Sequence, residues 1–567
     1  VILGGCGSGK STQGSLDPES FDVAQLPPNA ERRFTELFFD ASKAKITGDR
    51  ILAKQKFHEA LQVNPGSPAV KFELARIYAE EGNLTEAIDY ASEASKAVPS
   101  NKWYAEYLGQ LYAEAGKFDD SARIFRKILS NNPNDFDYYF HLAGLLTAQG
   151  RFEEAIKVYD ELESKAGISE EVSNQRQVIY MERGDLVNAL KETEKLIQAN
   201  PEEMRYKGMK AELYERMGRS DEALALYLEL YETDPSNGLV LLSLYEINKK
   251  KGRHREAADF MEKAFRSPDL SIDVKVNILL NVMNTAEYRK DATEALTLGS
   301  ILETAHPTDA KSYAIQGDLH YNAGNLETSR EKFRQAIAID PNRPPIWQQI
   351  LTISSQLNDF DAMQREGEAS VELFPEQPVF YLFTGVGLLA QKNAAEALRY
   401  LESGKNLVVD NNALLAQFYA SLGDGHHEAG NHAESDRYYE QCLKLDPSNL
   451  VVLNNYAYYL SLRGEKLDRA EQMAKKANDL RPNEPSFQDT YGWVLFKRNN
   501  FQNALFWIEE ALKNGAGTDP TVLEHHGDVL YQLGRKADAA RSWQAAMDNG
   551  GDAVIIQQKL SQPGMGE

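Results

Sequence analysis

Cysteine is almost missing from this chain: two in 567 residues, Cys6 and Cys442, far apart in sequence. One pair so placed gives no disulfide framework. Basic residues are in deficit, with Lys plus Arg 62 against Asp plus Glu 85 and a net charge of −23. A phosphate backbone needs a basic footprint, so this balance argues against a nucleic-acid partner. No run of 18 apolar residues occurs, which excludes a helix that spans a membrane. The ten histidines show no convincing metal-ligand spacing, and no nucleophile elbow, Cys-His-Asn set or dinucleotide glycine fingerprint appears. The sequence therefore offers no catalytic residue, no cofactor site and no metal site.

What it does have is rhythm. Gly48, Gly82, Gly116, Gly150, Gly184, Gly218 and Gly252 stand 34 residues apart without a slip. Prolines keep the same beat at Pro65, Pro99 and Pro133, at Pro201 and Pro235, and at Pro307, Pro341 and Pro375. A fixed period of this length predicts a stack of one small unit, extended as one continuous body. Glycine in mid-unit supplies a left-handed helix end, and proline stops a second helix, so each unit reads as two antiparallel helices.

In Ser67–Pro99, Lys71, Leu74, Ala75 and Tyr78 form one face of a first helix, and Ala87, Ala91 and Ala94 line a second. Trp103, Leu108, Gly109 and Tyr112 lead to Phe125; Tyr313, Gly317, Phe333 and Ala336 form another unit. Near the end, Tyr491, Gly492 and Leu495 precede Ala504 and Ala511, and Gly527 and Leu530 precede Ala539, Trp543 and Ala546. This pattern resembles the tetratricopeptide repeat. The resemblance implies an all-α fold, a right-handed superhelical solenoid of about fifteen helix-turn-helix repeats. Small residues where the two helices meet let the backbones approach, and aromatics fill the neighbouring holes.

The beat stretches to 39 residues between Pro268 and Pro307, loosens at Val408-Val409-Asp410-Asn411-Asn412, and breaks again at Asn514-Gly515-Ala516-Gly517. These joints divide the repeats into an N-terminal array at 31–268, a less regular central array at 269–410 and a C-terminal array at 411–549. Residues 550–567 read as a capping segment and tail.

The N-terminus carries two overlapping motifs. Gly4 and Gly9-Lys10-Ser11 satisfy the phosphate-loop spacing, but only Val1-Ile2-Leu3 precede the first glycine and a Gly/Ser/Pro linker follows, without the strand and helix such a loop needs. Val1-Ile2-Leu3-Gly4-Gly5-Cys6 instead resembles the lipobox of bacterial lipoproteins. That resemblance implies that 1–5 is the end of a signal peptide from a longer precursor, that a lipid is attached at Cys6, and that 6–30 is an anchor and flexible tether. No Asp follows Cys6, which in the proteobacterial sorting pattern implies the outer membrane, facing the periplasm.

Other residues read plainly. Cys442 is expected to be a buried core thiol. His427 and His432 are five apart across Gly430 and cannot share a helical face; His426-His427 and His525-His526 are expected to be ordinary polar groups on first-helix surfaces.

In this fold the first helix of each unit lines the binding face. Carrying that register over gives Trp103, Glu106, Tyr107, Phe140 and His141, and then the expected partner-binding set Asn454, Asn455, Tyr458, Asp489, Trp493, Phe496, Asp528 and Tyr531, with Glu524 beside them. Amides that pair a peptide backbone, interleaved with rings that take its side chains, suit an extended peptide. The Lys-and-Asn carboxylate clamp of chaperone-tail binding repeats is absent there. The sequence thus predicts a lipid-anchored, non-catalytic scaffold or adaptor for other proteins, laid out like outer-membrane repeat lipoproteins that serve a periplasmic protease or an outer-membrane assembly or secretion complex. A nucleotide-binding regulator with a repeat array, and a soluble cytoplasmic repeat scaffold, are the alternatives.

Overall fold

The computed structural model describes residues 26–561. Cys6, Lys10 and both N-terminal motifs lie outside the described residues. Within them the chain folds as thirty-two α-helices and no strand, the helices following one another as about fifteen pairs and a final Ala553–Leu560 helix. The helices pack as two compact units that divide between Met261 and Glu262, inside the His254–Arg266 helix.

The glycine beat has the predicted cause. All seven glycines from Gly48 to Gly252 are left-handed, with φ between 69° and 85°. At Gly82, which follows the Pro68–Glu80 helix, Asn83 N–H then donates back to Tyr78 O at 2.9 Å. Helix starts are capped by side chains: Asn101 Oδ1 accepts from the N–H groups of Trp103 and Tyr104, and Ser67 Oγ from that of Val70.

Within a pair, one contact recurs. A Cβ added to Gly109 would stand 2.9 Å from the Phe125 ring; for Gly317 and Phe333 the distance is 2.5 Å, for Gly423 and Tyr439 2.4 Å, and for Gly527 and Trp543 2.3 Å. No real Cβ comes so close, so the ring lies flush against the backbone of the first helix. Three of these pairs carry a further tie between glycine and ring. Ser121, Ser329 and Ser435 each donate a buried 2.7 Å hydrogen bond to the carbonyl oxygen of Gly109, Gly317 and Gly423. Alanine stands at the corresponding places Ala504 and Ala539, so the hydroxyl is an addition to the same packing.

Each unit buries a charged side chain that the repeat pattern does not announce. In the first unit Arg176 is 1% exposed and reaches Glu163 and Glu192 at 3.0 Å and Asp160 at 3.2 Å. A buried guanidinium needs such an acidic shell to offset lost hydration. In the second, Lys275 is fully buried, donates to Ser267 O at 2.8 Å and lies 3.0 Å from His306 Nε2; burial lowers the pKa of both groups. Lys275 belongs to the stretched segment between Pro268 and Pro307. The five extra residues form an inserted short helix, Ala286–Lys290, whose Tyr288 hydroxyl donates to Leu319 O at 2.9 Å. At the third break the helix Phe501–Ala511 passes into a π-helical turn, Leu512–Ala516, with Gly515 at φ 135°.

Cys442 is completely buried, and burial pushes its thiol pKa up to about 11.

Candidate protein-binding faces

In the second unit the first helices Leu450–Arg463, Pro485–Lys497 and Pro520–Gln532 lie side by side. They bring together most of the expected set. Asn455 donates to Asp424 at 3.3 Å, and Asn454 to Asn455 at 3.4 Å. Burial raises the Asp424 pKa, opposed by the hydrogen bonds from Tyr439 (2.6 Å) and Asn455. Tyr458 is half-buried, and burial together with the nearby carboxylates of Asp489 and Glu524 pushes its hydroxyl pKa up to about 12.

Asp489 and Trp493 are buried rather than displayed. Both are engaged by a residue expected to be an ordinary surface group. His525 is 6% exposed, its Nδ1 hydrogen-bonds both Asp489 oxygens at 2.9 and 3.0 Å, and its ring stacks on Trp493 with centroids 3.8 Å apart. The indole is sandwiched, since Phe496 stacks beside it at 4.7 Å, and Lys497 Nζ sits 4.6 Å from its ring. The surface expectation failed for His525 because the helix-A register places it toward the preceding first helix. Its neighbour His526 is turned inward too, toward Ser542 Oγ at 2.9 Å, and burial lowers its pKa. The signal that would have found the His525 contact is spacing: Asp489 and His525 are 36 residues apart, close to one repeat.

Five buried side-chain atoms on these three helices have no hydrogen-bond partner, among them Trp493 Nε1 and Asn454 Oδ1. Asp528 is occupied from within: Trp543 Nε1 donates to it at 2.9 Å and Lys559 Nζ, from the last helix, at 2.7 Å, while Lys559 also reaches Glu524 at 2.6 Å. Burial raises the Asp528 pKa despite that cation. Tyr531 packs on Trp543, ring centroids 5.6 Å apart.

His427 and His432 are nearer than their separation by Gly430 suggested. Their rings are 5.3 Å apart across the turn, and His427 stacks on Tyr459 at 3.5 Å. Among the described residues no group of three or more His, Cys, Asp or Glu side chains could hold a metal ion, and no helix is long and apolar enough to cross a membrane.

In the first unit, Trp103 is exposed, whereas Tyr107 packs on Phe72, Phe140 on Tyr159 and His141 on Phe125; Glu106 accepts from the Tyr138 hydroxyl at 2.9 Å. The cleft of this unit lies elsewhere, among residues that the helix register did not single out. A cavity of about 720 Å³ opens between the first helices Met204–Arg216 and Gly238–Lys250. Its floor is Tyr227, Leu230 and Val240, and Glu212, Glu215, Asp234 and Glu246 stand around it with Arg205 and Lys250.

Neither face presents a nucleophile with its base; what both present is shaped surface on rigid helices. Comparison with known proteins agrees with that architecture. Models described as tetratricopeptide repeat match residues 47–111, 108–169, 310–343 and 416–449, and one described as the Psidin N-terminal TPR repeats region matches 177–306. A TPR repeat-containing protein of Pseudomonas aeruginosa is 28% identical over 83 residues, 15% of this chain and 14% of the relative. The BBSome complex member BBS4 of Bos taurus is 23% identical over 246 residues, 43% of this chain and 46% of the relative. The chain thus spans less than half the length of these curated relatives. Among solved structures, the APC/C hetero-tetramer Cut9-Hcn1 is similar at 14% identity and a TM-score of 0.38, covering 93% of this chain and 96% of that one. Naa15/Naa10 bound to HypK-THB is similar at 16% identity and a TM-score of 0.39, covering 94% and 96%. Likenesses this loose say nothing of function. The repeat matches, the 34-residue glycine beat and the recurring glycine-on-ring contact coincide along both units, and the chain is a tetratricopeptide-repeat protein.

Proposed function

We propose that this protein is a non-catalytic scaffold whose first-helix faces hold other proteins, and that a lipid on Cys6 anchors it at a bacterial outer membrane, facing the periplasm. The observation that carries the scaffold reading is the face around Trp493. There a buried indole N–H and a buried amide oxygen lack protein partners, amid aromatic rings already held rigid by stacking. An extended peptide supplies both a donor and an acceptor at each residue, and so matches both atoms. BBS4, to which part of the chain is similar, is by its name a member of a complex. The anchor rests on the sequence of Val1 to Cys6 and the Gly/Ser/Pro-rich tether after it. Several acyl chains on one residue, at about 0.8 kcal/mol per buried CH₂, hold a protein firmly to a bilayer. The partner is then a periplasmic protease or an outer-membrane assembly or secretion complex.

The test is fractionation and capture with the full chain. Cys6→Ser should release it to the soluble fraction, and cross-linking in membranes should recover a stoichiometric protein partner. Retention on membranes after a high-salt wash would overturn the anchor; a chain that cross-links to nothing would overturn the scaffold.

A further inference from the structure

The acidic cleft of the first unit has a counterpart in the second. The helices Met204–Arg216 and Pro520–Gln532 both run into a left-handed glycine, Gly218 at φ 73° and Gly534 at φ 79°. Counted back from that glycine, Glu212 occupies the place of Asp528, and Gly208 that of Glu524. In the second unit the cation is built in: Lys559 Nζ sits 2.6 to 2.7 Å from Glu524 and Asp528. Counted forward from Gly218, the place of Lys559 falls to Ser243, which has no charge.

The cleft's lining carries four carboxylates, Glu212, Glu215, Asp234 and Glu246, against two cations, and one of these, Lys250, is turned to Glu215 at 3.5 Å. Glu246 makes no ion pair or hydrogen bond among the described residues, and Glu212 is tied only to Arg216 one turn along its own helix, 2.8 Å away. Arg205, at the rim, is turned to Glu170, with bonds of 2.6 and 2.8 Å. Beside the carboxylates the surface is apolar. Leu230 and Tyr227 form the floor, Leu239 is 73% exposed at the edge, and Gly208 leaves room, since a Cβ there would meet only Leu230 Cδ1 at 3.9 Å.

We propose that this cleft binds an extended peptide segment carrying a lysine or arginine next to a bulky apolar side chain. The cation serves the Glu212 and Glu246 carboxylates and the apolar group covers Leu230 over Gly208. The pairing is charge-complementary: Glu212 and Glu246 are exposed carboxylates at the edge of a concave apolar floor, so the cation sets specificity and the buried apolar side chain supplies contact area. This rests on the scaffold reading and names the chemistry of one partner.

The test probes the full chain with immobilised short synthetic peptides that hold one Leu, Ile or Phe among randomised neighbours, then measures a selected peptide by fluorescence anisotropy. Lys or Arg should be enriched beside the apolar residue. Gly208→Leu, which fills the cleft at an unstrained helical position, and the double variant Glu212→Gln with Glu246→Gln should each weaken the selected peptide by about tenfold or more, corresponding to ~1.4 kcal/mol. The glutamine pair changes no buried contact, so it keeps the test informative if the leucine variant misfolds. Enrichment of acidic residues, no enrichment, or unchanged affinity in the glutamine pair overturns the proposal. Cross-linking of the same variants in membranes separates the two ideas: a partner still captured with no peptide selected sinks the cleft alone, whereas a wild-type chain that captures nothing sinks the scaffold with it.

Discussion

His525 closes one repeat onto the one before it: its Nδ1 meets both oxygens of Asp489, 36 residues earlier, at 2.9 and 3.0 Å, under cover of the Trp493 ring. Removing the imidazole leaves a carboxylate buried with no partner, the costly half of a broken pair. His525→Ala should therefore destabilise the second unit by about 2 kcal/mol, and adding Asp489→Asn should recover part of that loss. Chemical denaturation of the two variants checks it. Additive losses would show that the pair contributes nothing jointly.

Trp493 and Tyr458 distinguish a binding face from interior glue. A binding role predicts that Tyr458→Ala loses partner capture with little change in melting, because its ring is only half-buried. Trp493 is 6% exposed, so Trp493→Ala should lower the melt as well, by an amount in keeping with the about 3–5 kcal/mol of a buried aromatic truncation. Trp493→Phe retains stacking while deleting the unpaired N–H, and it is the cleaner probe of that donor. Full capture by the phenylalanine variant would remove the indole N–H from the site.

Gly527→Ala places a methyl where the Trp543 ring already lies, 2.3 Å from Cδ1. Overpacking of this kind costs about 2 kcal/mol. Gly144 is helical and has nothing within 4 Å of where a methyl would stand, so it should tolerate alanine or gain slightly. Equal melts for the two variants would refute the close-packing account.

Asp318 gives a pH signature. Burial pushes its carboxyl up to about 6, above the ~3.9 of an unfolded aspartate. The folded state thus holds the proton more tightly, and the stability of the second unit falls as pH rises from about 4 to about 6. Asp318→Asn should match the wild type near pH 4 and exceed it by a margin that opens through pH 6 and stays level above. Melting curves across that range decide it; a margin that narrows with rising pH has the wrong sign.

Much of the fold was legible because glycine is the usual residue for a left-handed turn, and seven in phase leave little choice. The beat also continues where glycine does not. Asn358 and Lys392 follow Gly324 at the same 34-residue interval with φ of 54° and 64°, and Asn499 takes a turn at 61°. Reading the letter rather than the conformation hid those turns. Lysine bears strain there that glycine escapes, so Lys392→Gly should stabilise the second unit by up to about 1 kcal/mol, read as a raised denaturation midpoint. The candidate site was less legible. Helix-A register located Asn454, Tyr458, Asp489 and Trp493 on neighbouring helices, but periodicity ranks residues by face and says nothing about which polar groups pair across repeats. Asp489 with His525, Glu524 with Lys559, and Glu106 with Tyr138 all pair at 32 to 36 residues. Arg176 breaks the apolar pattern where its partners lie on neighbouring helices, and Lys275 where its partners, Ser267 and His306, lie just past the ends of two other helices.

The glycine-on-ring contact closes over sixteen residues and the serine tie over twelve, whichever pair carries them. Loop closure so short costs little entropy, and the cost is the same for each pair that carries these contacts. A nascent chain leaving the ribosome need not wait for distant sequence before a hairpin of helices gains its principal contact. Assembly can start at several places at once and spread to neighbours, which suits a long polypeptide that would otherwise expose apolar surface while incomplete.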